Sequence, residues 1–165
     1  MKKINLLINF GLIIIISFFP SVVLSQNNIQ IKLTFGNYTN DQSAHKFYSN
    51  ERIWEIKNNK LSYSIDANNT RYVDTLILIN SEIDSIIQLV KDSNLTKSVS
   101  KELNKDYLSK EGYSEDIIGY IELNGKKAEF KIKTNGYHLI DEDTEGKHLN
   151  ALEQLLYKIV GNHKK

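Results

Sequence analysis

The residues of this chain best suited to chemistry lie in the run DEDTEGKHL, where Asp141, Asp143, Glu145 and Gly146 fall at positions one, three, five and six of an EF-hand-like calcium loop. Calcium needs several hard oxygen ligands around one tight turn, so Asp141, Asp143 and Glu145 are the candidate metal ligands. Position twelve is Leu152, where a bidentate Glu should close the loop, and Glu153 comes one residue late. The competing expectation is an acidic helix N-terminus favoured by the helix dipole. Four histidines, His45, His138, His148 and His163, are available for metal or acid–base work, and none lies in an H-E-x-x-H pattern. His138 and His148 flank the acidic run, which makes a hydrolytic Asp/Glu/His site around residues 138–148 one of two competing expectations.

Other catalytic patterns are missing from the sequence. There is no G-x-S-x-G nucleophile elbow, no G-x-G-x-x-G and no P-loop, so no nucleotide and no other cofactor is expected. The absence of cysteine excludes disulfides, thiol catalysis and cysteine metal sites. With 21 basic and 20 acidic residues dispersed along the chain there is no electrostatic case for nucleic acid. The remaining candidates bind rather than react. Tyr38, Phe47, Tyr48 and Trp54 surround a polar stretch, and on a long loop over Gly36 to Asn50 they would form an aromatic platform for a sugar or a protein. Rings this large also fold back as lids of a core.

The elements that must position these residues are read from periodicity. IQIKLTF alternates strictly, with Ile29, Ile31, Leu33 and Phe35 on one face of a half-buried strand. Arg52–Lys57 and Leu61–Asp66 form a hairpin around Asn58, Asn59 and Lys60, with Trp54 and Ile56 on the face of Leu61, Tyr63 and Ile65, and Arg71–Ile79 is a further strand. Ile83, Ile86, Ile87 and Val90 then fall on one helical face, capped by Asn80 or Ser81 and ending near Asn94. Residues 95–115 are charged and irregular, with a short helix around Leu103, Tyr107 and Leu108 expected before Gly112.

IGYIELNGKKAEFKI carries an Asn-Gly turn between alternating runs, the strongest short hairpin signal. A two-residue turn sets Leu123 opposite Lys126, Ile121 opposite Ala128, Gly119 opposite Phe130 and Ile117 opposite Ile132, on one apolar face. Gly119 would make room for the Phe130 ring. A last helix, beginning near Lys147, carries Leu149, Leu152, Leu155, Leu156 and Ile159 and stops at Gly161. Each helical stripe needs a sheet face to cover, so the expected fold is α+β: an antiparallel sheet with two helices packed on one face.

The N-terminus sets the compartment. Lys2 and Lys3 precede an apolar run from Ile4 to Phe19 that Pro20 breaks, which is the order of a secretory signal peptide. Val23 and Ser25 suit the signal-peptidase pockets, giving residues 1–25 as the signal peptide and residues 26–165 as a single α+β domain of net charge −1. The competing expectation is an uncleaved anchor, and contact with a membrane is expected only through this segment. The Asn-, Lys- and Ile-rich composition looks like an AT-rich bacterial genome, so the sequons at Asn37, Asn68 and Asn94 would matter only in a eukaryotic host.

The order LINSEIDSIIQLVKDSNL, IELNGKKAEFKI, LNALEQLLYKIV resembles small uncharacterised exported bacterial domains and the emfourin-like inhibitors of metalloproteases. The resemblance spans roughly residues 71–160 as element order and apolar spacing. The second family would imply binding to a thermolysin-type protease, and no site residue carries over. Small size, export and the missing catalytic motifs together point to a non-enzymatic binding module of the bacterial envelope or secretome, inhibitor or immunity-like proteins being examples. The partner expected is a protein or envelope component, and the alternative is the small exported hydrolase.

Overall fold

The computed structural model describes residues 28–41, 46–67, 70–104, 112–135 and 139–164; for residues 40, 41, 46–48 and 139 only the backbone is described. The expected signal segment, His45, His138 and the Tyr107 and Leu108 part of the expected short helix lie outside these residues, whereas Leu103, expected in that helix, lies in a strand opposite Thr134. Among the described residues no helix is long and apolar enough to cross a membrane.

The fold is α+β. Strands β1 (Ile29–Asp41), β2 (Lys46–Lys57), β3 (Lys60–Ala67) and β4 (Thr70–Ile77) lead into helix α1 (Asn80–Asp92). After it come β5 (Val99–Asn104), β6 (Tyr113–Leu123), β7 (Lys126–Asn135), the single turn α2 (Leu139–Glu142) and α3 (Thr144–His163). The strands form one seven-stranded sheet in the order β4-β3-β2-β1-β6-β7-β5. Five neighbouring pairs are antiparallel, but β5 runs parallel to β7, so the sheet is mixed and the expectation of an all-antiparallel sheet is corrected. The reason is the crossover: α1 separates β4 from β5 and carries the chain from one edge of the sheet to the other.

Both tight turns follow from residues that tolerate positive φ. Asn58 and Asn59 (φ 52° and 60°) close β2–β3, and Asn124 and Gly125 (φ 52° and 78°) close β6–β7, giving the twist that right-handed strands need. The expected register of the second hairpin is present at each pair, from Leu123 opposite Lys126 to Ile117 opposite Ile132. Its tip is tied to β1, since the Asn124 N–H donates to the Asn28 carbonyl and the Asn28 N–H to the Asn124 side chain.

Two expectations are corrected by pairing. Gly36 to Asn50 is not a long loop: β1 continues to Asp41 and pairs with β2 from Lys46 onward. Polar residues on both faces hid these strand halves, because backbone pairing needs no apolar side chain. Gly119 answers to the backbone rather than to Phe130. With φ at +150°, an added Cβ would lie 1.9 Å from the Lys32 carbonyl oxygen of β1.

The strand register fixes which side chains share a face. Ile31, Leu33, Trp54, Ile56, Leu61, Tyr63, Ile117, Ile121, Phe130 and Ile132 lie on one, the core face, and join the buried stripes of α1 and α3 in one cluster. Along α3, Glu145 meets Lys101 of β5, Glu153 meets Arg52 of β2, and Lys164 just past the helix meets Tyr63 of β3 and Tyr72 of β4. The helix therefore crosses the whole sheet. Its 20 residues span about 30 Å, matching seven strands at about 4.8 Å spacing. The α1 N-terminus meets the α3 C-terminus, with His163 Nε2 2.9 Å from Glu82. Ile79 rather than Asn80 or Ser81 stands at the α1 N-cap, and Glu82 accepts from its N–H at 3.0 Å.

Candidate functional site

The strongest concentration of buried polar groups lies on the core face where β1, β2 and β6 meet α3. Arg52 stands on β2 in the alternation of Trp54 and Ile56, so it points under the helix. Its Nε and Nη2 donate to Glu153 Oε1 and Oε2 at 2.8 and 3.3 Å, while the Trp54 indole donates to Oε1 at 3.0 Å. Glu153 is only 4% exposed. Burial works against the charge, yet the hydrogen bonds and field of Glu153 hold the Arg52 guanidinium above its ordinary pKa. Arg52 also donates to Asn37 Oδ1 at 3.0 Å, and the Asn37 amide donates to the Tyr113 hydroxyl at 3.1 Å. Tyr113 in turn donates to Glu115 Oε1 at 2.8 Å. Glu115 Oε2 is buried and has no hydrogen-bond partner among the described residues. The network clamps helix to sheet. Its central carboxylate is saturated by donors, so no nucleophile–base pair is poised there.

The acidic run is a helix turn, a cap and a second helix. Asp143 caps α3 by accepting from the Gly146 N–H at 2.9 Å. Lys101 donates to both Asp143 and Glu145 at 2.5 Å. That hydrogen bond holds the Glu145 carboxyl below its ordinary pKa. Asp141 accepts from the Asn150 amide at 2.9 Å. Gly146 serves packing, because a Cβ there would sit 2.4 Å from the Ile140 carbonyl. Among the described residues no group of three or more His, Asp or Glu side chains is placed to hold a metal. His148 is half-buried on α3 and His163 pairs with Glu82.

Of the four aromatics, Trp54 and Tyr38 stand on opposite faces of the sheet. Trp54 is fully buried, stacked on Tyr63 at 5.2 Å and edge-on to Tyr157 at 4.8 Å, so it belongs to the core. Tyr38 points to the opposite, outer face and donates to Glu51 at 2.8 Å. Desolvation and that carboxylate push its phenol up to about 12. Phe47 and Tyr48 lie in β2, opposite Asn40 and Thr39 of β1, with side chains outside the described set.

The outer face is where accessible surface gathers. A hollow of about 520 Å³ opens across β5, β7 and β6, lined by Ser100, Ile118, Tyr120, Glu129 and Lys131 around Gly119. Ile118 is 41% exposed, and Lys127 stands over the Tyr120 ring at 4.6 Å. A second hollow of about 280 Å³ lies between Lys32, Ile53, Glu55 and Val73. The chemistry available here is recognition: apolar floor, one aromatic, and cations and carboxylates at the rim.

The residues that sequence reasoning missed are Arg52 and Glu153. Both signals were present, since Arg52 keeps the alternation of the core face and Glu153 lies four residues after Leu149 and three before Leu156. Comparison with known protein families and with curated proteins found no match, so geometry carries the functional argument.

Proposed function

We propose that the chain is an exported, non-enzymatic binding module of the bacterial envelope or secretome that meets a protein partner with the outer face of its sheet. One observation carries the proposal: both long helices pack on the core face, and the outer face keeps an apolar-floored hollow of about 520 Å³ with Ile118 exposed at its wall. Exposed apolar surface rimmed by charge is what a partner desolvates on binding. Export rests on the basic, apolar and Pro20-terminated order of residues 1–25. The hydrolase reading is the weaker one, since Asp143 and Glu145 are engaged by Lys101 and the α3 cap. The metalloprotease-inhibitor resemblance supplies one partner class to try first.

The test is a pull-down from envelope extract with the secreted chain and with Ile118→Glu, alongside titration against a thermolysin-type protease. A discrete partner retained by the natural chain and by Gln88→Ala on exposed α1, and lost with Ile118→Glu, supports the proposal. Equal capture by all three would overturn the assignment to this face.

A further inference from the structure

The two edges of the sheet differ in chemistry. On β5 the exposed positions are Ser100, Glu102 and Asn104, and Lys101 is engaged by α3. On β4 the outer-face positions Arg71, Val73, Thr75 and Ile77 are all exposed, and two of them are apolar: Val73 is 59% and Ile77 64% exposed. Sheet edges are ordinarily guarded by Lys, Pro or a covering element, because their free backbone groups recruit another strand. β4 contains neither Lys nor Pro, the exposed charge on its outer face is Arg71 near its start, and among the described residues no strand pairs with its outer side.

The direction of its backbone groups can be worked out. Lys57 and Lys60 flank a two-residue turn, so Lys60 and every second residue after it bond to β2, leaving Leu61, Tyr63 and Ile65 to bond to β4. Their partners are Leu76, Asp74 and Tyr72, and the Leu78 N–H donating to Asn59 at 2.8 Å continues the same series. Arg71, Val73, Thr75 and Ile77 therefore point their N–H and C=O groups outward. Thr75 confirms it independently: its N–H is taken by the Asp74 side chain at 2.7 Å instead of by β3.

We propose that β4 pairs antiparallel with β4 of a second copy of this chain, about a two-fold axis at Thr75, joining two sheets into one. The sequence of the strand selects that axis. An axis at Asp74 sets two Asp74 carboxylates against each other. An axis at Val73 carries Ile77 past the end of the partner strand. The axis at Thr75 sets Val73 opposite the second copy's Ile77 twice, covering the two most exposed apolar side chains of β4 with each other on the outer face. It also matches outward backbone groups with outward backbone groups at Val73, Thr75 and Ile77. Such an isologous contact closes on itself and does not propagate into a fibre. Pairing exchanges the Asp74 bond to the Thr75 N–H for one across the axis, so the dimer is reversible and concentration-dependent. The hollow at β5 to β7 lies toward the other edge, and this inference does not depend on it.

The chain has no cysteine, which makes the register testable by disulfide trapping. Under mild oxidation of the secreted protein, Thr75→Cys should link to itself, its Cα atoms sitting at the roughly 5.5 Å of directly opposed residues. Val73→Cys alone should not link, because its twin lies four residues away, about 14 Å along the strand. A mixture of Val73→Cys with Ile77→Cys should form the mixed disulfide. Sedimentation should show concentration-dependent dimer for the natural chain, with a dissociation constant raised at least about tenfold in Val73→Lys, whose circular dichroism stays natural. A natural chain that sediments as monomer up to several hundred micromolar would overturn the proposal, and so would Val73→Cys linking as readily as Thr75→Cys.

Discussion

Replacing Arg52 by Met leaves the Glu153 carboxylate under α3 without its guanidinium. Glu153 is 4% exposed and keeps only the Trp54 N–H at 3.0 Å among the donors described above. An uncompensated buried charge of this kind costs roughly 3 to 5 kcal/mol. The Arg52 side chain is itself 18% exposed, so some water reaches the pair and the lower end, about 3 kcal/mol, is expected. Adding Glu153→Gln removes the stranded charge while keeping an acceptor for the indole. The double variant should then lie within about 1 kcal/mol of the natural chain, a coupling of at least about 2 kcal/mol, larger by whatever Glu153→Gln costs alone. Urea melts of the two single variants and the double variant measure this directly. A cost under about 0.5 kcal/mol for Arg52→Met, with the double variant simply additive, would refute the clamp and leave an ordinary exposed ion pair.

Phe130, 2% exposed, should cost about 3 to 5 kcal/mol when cut to Ala, whereas Lys131→Ala on the outer face should cost less than about 0.5 kcal/mol; denaturant midpoints compare them. Gly119→Ala should destabilise by more than about 3 kcal/mol, since its Cβ overlaps the Lys32 carbonyl, and a melting temperature unchanged from the natural chain would show that β6 can shift away. Tyr38 titrates near 12 in the fold against an ordinary value of 10, so the unfolded chain loses its proton first. Its contribution to stability is full below pH 10 and falls as pH rises to about 12. Tyr38→Phe should remove that alkaline loss, as read from melts across the range. If the proposed export signal is cut after Ser25, intact mass of the protein recovered from its host should correspond to a chain beginning at Gln26, and a mass that retains residues 1–25 would contradict the cleavage.

The β6–β7 hairpin was legible to the residue because three signals agreed there: alternation, an Asn-Gly turn and opposite charges across the outer face. The helical stripes of α1 and α3 were equally plain. The outer halves of β1 and β2 were not, since Asn37 to Asn50 carries polar residues on both faces and alternation had nothing to alternate. Strand β5 was hidden for a related reason. Val99 and Leu103 share the core face with Lys101, whose charge is answered only by Asp143 and Glu145 some forty residues later. The acidic run looked like a metal loop because carboxylates at a helix start and carboxylates around calcium have the same short spacing. What distinguishes them is a lysine from a distant strand, which local sequence cannot supply. Arg52 and Glu153 were visible as charges on apolar faces, and that misfit was itself the sign that the two faces meet.

The outer face as the binding surface is tested most directly by photocrosslinking in the envelope, with a photoreactive amino acid at Ser100 beside the hollow or at Gln88 on the exposed side of α1. The account predicts a discrete adduct of one partner mass from Ser100 and none from Gln88. Adducts from Gln88 with none from Ser100 would contradict it and move the binding surface to the helices.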